Sequence, residues 1–373
     1  MNRRKLTLLA VSAVVLLAAG IWLNASRTRQ QTVQSGERVF PDLAGALAEV
    51  DEIRISRGDG SHTTLKRRSD GWTVAERNYP ADARRVRDLA FALANLEIVE
   101  HKTSDPANYP KLGVEPADTP TATSTRVEVV AGKKSWPLIV GKNAEGNAVY
   151  VRKPAEAASA LAQPTLTVDP DQKRWMDRLL ADIPAAQVHD ISIKPAKGPA
   201  YLLKRDDPDA DLVMNPVPRG RTPVTAMSLE GQAGALVSLN FDDVRAAPSP
   251  APAATDRATF RTFDGQVIEF AGRRDGDKAF VTVSAQRDPA LAARFPQPAA
   301  AAAAATTAST DTSAEPAKAP TAPAAPAAPT EAPKPRAQTV ERLAARTAGV
   351  EFEIPLYKYE SLFKPQEELL ESK

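Results

Sequence analysis

The feature that most restricts the fold is a repeated order of segments. Residues 188–193 (Val188, His189, Asp190, Ile191, Ser192, Ile193) echo residues 50–55 (Val50, Asp51, Glu52, Ile53, Arg54, Ile55) at an offset of 138. Residues 201–205 echo residues 63–67 at the same offset. Further along, residues 236–244 resemble residues 93–99, and residues 259–265 echo residues 126–132. Ala271 and Gly272 match Val140 and Gly141, and residues 280–283 echo residues 149–152. Strands resemble one another, so the weight lies in the shared order rather than in any single match. Two readings follow: a duplicated unit, or one continuous α+β domain with accidental similarity.

Local patterns fill in the elements. Alternation of apolar and polar residues predicts strands at 50–55, His62–Arg68 and 72–74, with a hairpin signal at Asp70 and Gly71. Asp82 then opens a helix in which Val86, Leu89, Ala90 and Leu93 form one apolar stripe and Arg84, Arg85, Arg87 and Asp88 the polar face. Strands are predicted at 96–102, 126–130, 136–141 and 148–152, and short helices at 154–162 and 171–180. A helix from Val340 to Ala344 and a closing strand over 350–359 complete the pattern. The expected fold class is α+β: a single N-terminal transmembrane helix followed by two similar α+β units with mostly antiparallel sheets.

The transmembrane expectation rests on residues 6–23, 18 positions without a charge. At about 1.5 Å per residue such a helix is near the thickness of the hydrocarbon core. Arg3, Arg4 and Lys5 precede it, which puts residues 1–5 in the cytoplasm. A cleaved signal peptide is the rival reading, but Leu23 is large for a small-x-small cleavage site. The expected layout is a cytoplasmic tail (1–5), an anchor (6–23), a stalk (24–48), unit 1 (49–183) and unit 2 (184–373). The expected location is the bacterial inner membrane, single-pass, with the C-terminal bulk in the periplasm or otherwise outside the cytoplasm. Residues 297–338 are nearly all Ala, Pro, Thr, Ser and Lys. Such a composition buries too little apolar surface to offset chain ordering, so a disordered insertion within unit 2 is expected.

Composition excludes several chemistries. The chain has no cysteine, so disulfides, iron–sulfur clusters and thiol catalysis are out. Three histidines (His62, His101, His189) stand apart and read as solvent-facing, so no metal site is expected. A net charge of +2 lacks the basic excess of a nucleic-acid binder. No P-loop, G-x-S-x-G elbow or H-E-x-x-H helix occurs. The acidic run Asp206, Asp207, Asp209 and Asp211 lacks the glycine and terminal glutamate of a calcium loop and reads as a solvated turn. Asp242 and Asp243 read likewise. Arg84, Arg85 and Arg87 read as a charged helix face. Trp72, Trp136 and Trp175 read as core or half-buried anchors, with the stretch around Trp175 also able to dock a partner. No catalytic residue, cofactor or metal ligand is expected.

Four stretches carry a family resemblance. They are Leu65, Lys66 and Arg67 through Gly71, Trp72, Thr73 and Val74; Tyr79, Pro80, Ala81 and Asp82 into the helix; residues 111–117; and Gly141, Lys142 and Asn143 through residues 149–152. Together they resemble the bacterial family known as domain of unknown function 4340, over most of residues 50–245. The resemblance implies a single-pass membrane-anchored protein associated with ABC-type export systems of the gliding-motility-auxiliary kind. It brings no catalytic residues. The expected function is therefore a non-catalytic accessory or scaffold component of an ABC-type export system. Its expected partners are the inner membrane and an ABC-type permease or auxiliary membrane protein. The alternatives are an envelope binding module for glycan, peptide or lipid, and a hydrolase with an unrecognised acidic site.

Overall fold

A computed structural model of the chain describes residues 36–250, 253–295 and 340–371. Two compact units divide the chain, Met1–Asp177 and Arg178–Lys373.

Unit 1 contains β1 (Glu37–Arg38), α1 (Leu43–Ala46), β2 (Glu52–Arg57), β3 (His62–Arg68), β4 (Gly71–Val74), β5 (Tyr79–Pro80), α2 (Ala83–Ala94), β6 (Glu97–His101), α3 (Tyr109–Leu112), β7 (Thr125–Ala131), β8 (Lys134–Ala144), β9 (Ala148–Arg152) and β10 (Ser159–Gln163). Its strands form one sheet in the order β1-β6-β10-β9-β8-β7-β2-β3-β4-β5. Alternation decides the faces: Ile53 and Ile55 are buried while Arg54 between them is exposed. The Asp82 carboxylate caps α2 by accepting from the backbone N–H groups of Arg84 and Arg85. That helix buries Val86, Leu89 and Leu93. Residues 36–48, expected as stalk, belong to this unit, with Val39, Phe40 and Leu43 buried.

Unit 2 contains β11 (Leu179–Ala181), β12 (Val188–Lys194), β13 (Tyr201–Lys204), β14 (Val213–Asn215), α4 (Ala226–Ala233), β15 (Leu239–Asn240), β16 (Asp243–Ala246), β17 (Asp256–Thr262), β18 (Gln266–Asp275), β19 (Lys278–Arg287), α5 (Pro289–Arg294), α6 (Val340–Thr347), β20 (Val350–Ile354) and α7 (Leu356–Leu362). Its main sheet has the order β14-β13-β12-β17-β18-β19-β20-β16, and β11 with β15 makes a second, two-stranded sheet. Phe241, Phe260, Phe270 and Phe352 fill the core. Phe260 meets Phe270 edge-on at 5.8 Å between centroids.

The two main sheets share one strand order. Reading β4, β3, β2, β7, β8, β9, β10 and β6 in unit 1 gives the same path as β14, β13, β12, β17, β18, β19, β20 and β16 in unit 2. Pairing partners set the residue correspondence. Ile53 opposes Leu65 and Val129, as Ile191 opposes Leu203 and Phe260.

Three expectations require correction. The fold is mostly β-sheet, in three antiparallel sheets, rather than α+β. The helix expected at 154–162 is a turn followed by β10, and the one expected at 171–180 is a single 3-10 turn, Gln172–Arg174, followed by β11. The first window is rich in Ala and the second carries Leu179 and Leu180, but sheet pairing to neighbouring strands outweighs intrinsic helix propensity. The closing strand is also shorter than expected, ending at Ile354 before α7. The expected single-pass inner-membrane placement is overturned as well: among the described residues no helix is long and apolar enough to cross a membrane. The expected anchor at 6–23, the whole of the insertion expected at 297–338 and the tail at 1–5 lie outside the described residues.

Candidate functional site

Side chains alternate between sheet faces, so the pairings define rows of residues that stand together on one face. In unit 2, Lys194 on β12 opposes Arg257 on β17, Arg257 opposes Ala271 on β18, and Ala271 opposes Thr282 on β19. The neighbouring row runs Ser192, Thr259, Glu269 and Ser284. These rows lie on the face away from the buried aromatic core. Arg257, Ala271 and Thr282 of the first row, with Thr259, Glu269 and Ser284 of the second, floor a trough of about 650 Å³, whose wall is Ala247 with residues 347–350. That volume lies within the usual ligand-site range of about 300–1,000 Å³.

The polar groups of the trough are sparsely partnered. Ser284 Oγ donates to Glu269 at 3.4 Å, and Thr282 Oγ1 donates to the Ala271 carbonyl at 3.5 Å. Lys194 and Arg257 are both exposed and directly opposed, and among the described residues neither forms an ion pair. Like charges placed opposite one another across strands repel. Beside the trough, Arg245 and Arg273 both donate to the buried Glu351 carboxylate, at 2.7–2.9 Å and 2.9–3.1 Å. Their guanidinium carbons lie 4.0 and 4.6 Å from the centroid of the buried Phe280 ring.

Unit 1 treats the matching place differently. The corresponding row is Ser56, Arg126, Ile139 and Arg152. Its Ile139 and Arg152 end is covered by α3 and the residues after it, while Arg126 stays exposed. Ile139 packs with Tyr109 and Val114. Arg152 stacks on the Tyr109 ring at 4.6 Å and its Nε donates to the Val114 carbonyl at 2.9 Å. The Tyr109 hydroxyl donates to the Ala157 carbonyl at 2.6 Å. Gly141 permits this approach, since a Cβ there would stand 2.4 Å from the Leu112 carbonyl oxygen. Glu115 holds the far end by accepting from the Thr123 backbone N–H, at 2.6 Å, and hydroxyl. Desolvation works against its charged form, yet these hydrogen bonds prevail and hold the carboxyl below its ordinary value. The exposed rows nearby are neutralised: Arg126 lies 3.3 Å from Glu128, and Lys66 lies 3.7 Å from Glu52.

The residues singled out in the sequence are scattered. His62 and His101 are exposed, 3.9 Å from Glu76 and Glu37 respectively. His189 is buried rather than solvent-facing: its Nδ1 donates to Asp190 at 2.7 Å, and its ring packs between Phe263 and Phe295. Its Nε2 has no hydrogen-bond partner in the described structure. Asp206, Asp207 and Asp209 form an exposed turn, with Asp206 2.6 Å from Lys204. Asp242 pairs with Arg178 at 2.7 Å, and Arg85 bonds Asp82 and the Arg174 carbonyl. Trp136 donates to Asp42 and Trp175 to the Asp169 carbonyl, and both are buried. Trp175 is thus unavailable for docking. None of these residues lies in the trough. The trough itself was invisible in the sequence because its floor comes from separate strands; the one signal was the pair of cations that register places side by side.

No curated protein and no solved structure matches the chain. The family model described as Domain of unknown function (DUF4340) matches residues 72–258, from β4 in unit 1 to β17 in unit 2. That span is half of the chain, and on it the chain belongs to the DUF4340 family.

Proposed function

We propose that this chain is a non-catalytic accessory or scaffold component of an ABC-type export system, and that it holds a partner on the outer sheet face of unit 2. The trough carries this reading. It is a concave surface with hydroxyl groups from Thr259, Thr282 and Ser284, a carboxylate from Glu269 and a guanidinium from Arg257 on one rigid floor. Such a floor presents contacts for recognition, and its side chains are fixed by pairing in a sheet.

In-cell photocrosslinking tests the reading. A photoreactive residue replaces Thr282 in the trough or, as a control, Glu128 on the outer face of unit 1, and adducts are identified by mass spectrometry. Recovery of an ABC permease or its auxiliary subunit from the Thr282 position alone is the expected result. Equal recovery from both positions, or no protein adduct, would overturn it. The second reading, a binding module for glycan, peptide or lipid, draws on the same concavity, and an adduct with a non-protein ligand would favour it.

A further inference from the structure

The covered row of unit 1 shows what this sheet face holds when it is filled: a segment of polypeptide. Tyr109 to Val114 lie on Ile139 and Arg152, with a backbone carbonyl bound by the Arg152 guanidinium and a tyrosine hydroxyl bound to the wall at Ala157. In unit 2 the connection from β16 to β17 is too short to supply such a cover. It spans 247–255, whereas the β6 to β7 connection of unit 1 spans 102–124. Ala271 and Thr282 replace the larger Ile139 and Arg152, and among the described residues nothing fills the space.

Two further differences set the charge of an occupant. Glu128 partners Arg126 in unit 1, and Thr259 stands at the matching position beside Arg257. Ser56 opposes Arg126, and Lys194 stands in its place opposite Arg257. One exchange removes an acid and the other adds a base. The result is two exposed cations side by side, Arg257 in the lining of the trough and Lys194 opposite it, with no ion pair to either among the described residues. Glu269 lies one strand across and two residues along from Arg257, and no ion pair joins them.

We infer that the trough of unit 2 is a docking site for an acidic peptide segment of a partner protein. The peptide lies where the Tyr109 to Val114 segment lies in unit 1, with a carboxylate at Lys194 and Arg257 and its backbone against the Thr259, Thr282 and Ser284 hydroxyls. The inference rests on the accessory reading above and specifies the chemistry of the partner.

Fluorescence anisotropy on the full chain tests it. Two labelled nonapeptides are patterned on residues 109–117, one with Lys111→Glu and one with Glu115→Lys. The acidic peptide is expected to bind at least tenfold more tightly than the basic one, with affinity falling as salt screens the charges. Charge reversal at Lys194→Glu and Arg257→Glu reverses that preference. Arg126→Glu, at the matching exposed position of unit 1, leaves it unchanged. Absence of acidic-peptide binding, or binding that survives the double reversal, overturns the inference. So does binding of tetragalacturonate with the same Arg257 dependence when the peptide is not bound, since the ligand would then be an acidic glycan. Peptide binding without recovery of an export permease would keep the peptide site and remove the export assignment. Recovery of the permease without peptide binding would keep the accessory reading and overturn the site.

Discussion

On the row that crosses β2, β7, β8 and β9, unit 1 sets Ile139 and Arg152 beneath Tyr109 and Val114. On the matching row, unit 2 sets Ala271 and Thr282 on the floor of a trough. Strand order and pairing are the same in both places, so the sheet does not decide which face is covered. The connections decide it. Unit 1 spends its long connection between β6 and β7 and crosses from β9 to β10 in a few residues. Unit 2 has the short link at the first place and the long one, from β19 to β20, at the second. Among the described residues, a shared scaffold with exchanged loop lengths yields one closed face and one open face.

The largest effect is expected from removing the cover. Tyr109→Ala deletes a buried ring, its stacking on Arg152 and its hydrogen bond to Ala157, and costs unit 1 about 3–4 kcal/mol. Hydrogen exchange should report the loss in β8 and β9 and leave β18 and β19 unchanged. A loss spread equally over both units would break the comparison. Next is Glu351→Ala, which strips both Arg245 and Arg273 of their acceptor in unit 2. Breaking a buried pair costs about 3–5 kcal/mol, and the lower end applies because Arg245 is half-exposed. Urea unfolding monitored by exchange should place that loss in unit 2 alone.

Gly141→Ala sharpens the account of the cover. The added Cβ would stand 2.4 Å from the Leu112 carbonyl oxygen and 2.8 Å from that of Gly113, so the cover must lift. A loss of about 1–3 kcal/mol is expected, with faster exchange of the Val114 amide. An unchanged rate would show that the segment does not press on the sheet. The smallest effect is acidic. Glu115 has a lowered carboxyl value in the folded state, so its contribution is present above the ordinary value of 4.5 and is lost as pH falls through the folded one. Glu115 is only partly buried and its bonds tie one loop, so the effect on global stability is slight. Exchange at Thr123 should quicken below that point, and Glu115→Gln should remove the dependence.

Much of the strand framework was legible in the sequence, because half-buried strands alternate in a way that local reading detects. The offset that joins residues 50–55 to 188–193 puts Ile53 and Ile191 at matching pairings. Register was lost further along. Matching Gly141 to Gly272 is off by one residue, and a one-residue slip reverses the face. In the structure Gly141 lies under the cover of unit 1, whereas Gly272 faces the core beneath Tyr359 and Phe363. The cause is the hairpins: β7 turns into β8 through two residues, Gly132 and Lys133, while the β17 to β18 loop is longer. The contrast between Glu128 and Thr259 emerges only after that register is fixed, so the candidate site could not be read from the chain alone. The buried His189 was misjudged for a related reason, since its enclosure by Phe263 and Phe295 is made by residues distant in sequence.

Because the chain has no cysteine, single cysteines can report directly on the two rows. The decisive measurement compares maleimide labelling of Ala271→Cys in unit 2 with that of Ile139→Cys in unit 1, in the native full chain. An open trough and a covered counterpart predict rapid modification at position 271 and protection at position 139 until Tyr109→Ala is added. Equal labelling rates at the two positions, or protection at 271, would contradict it.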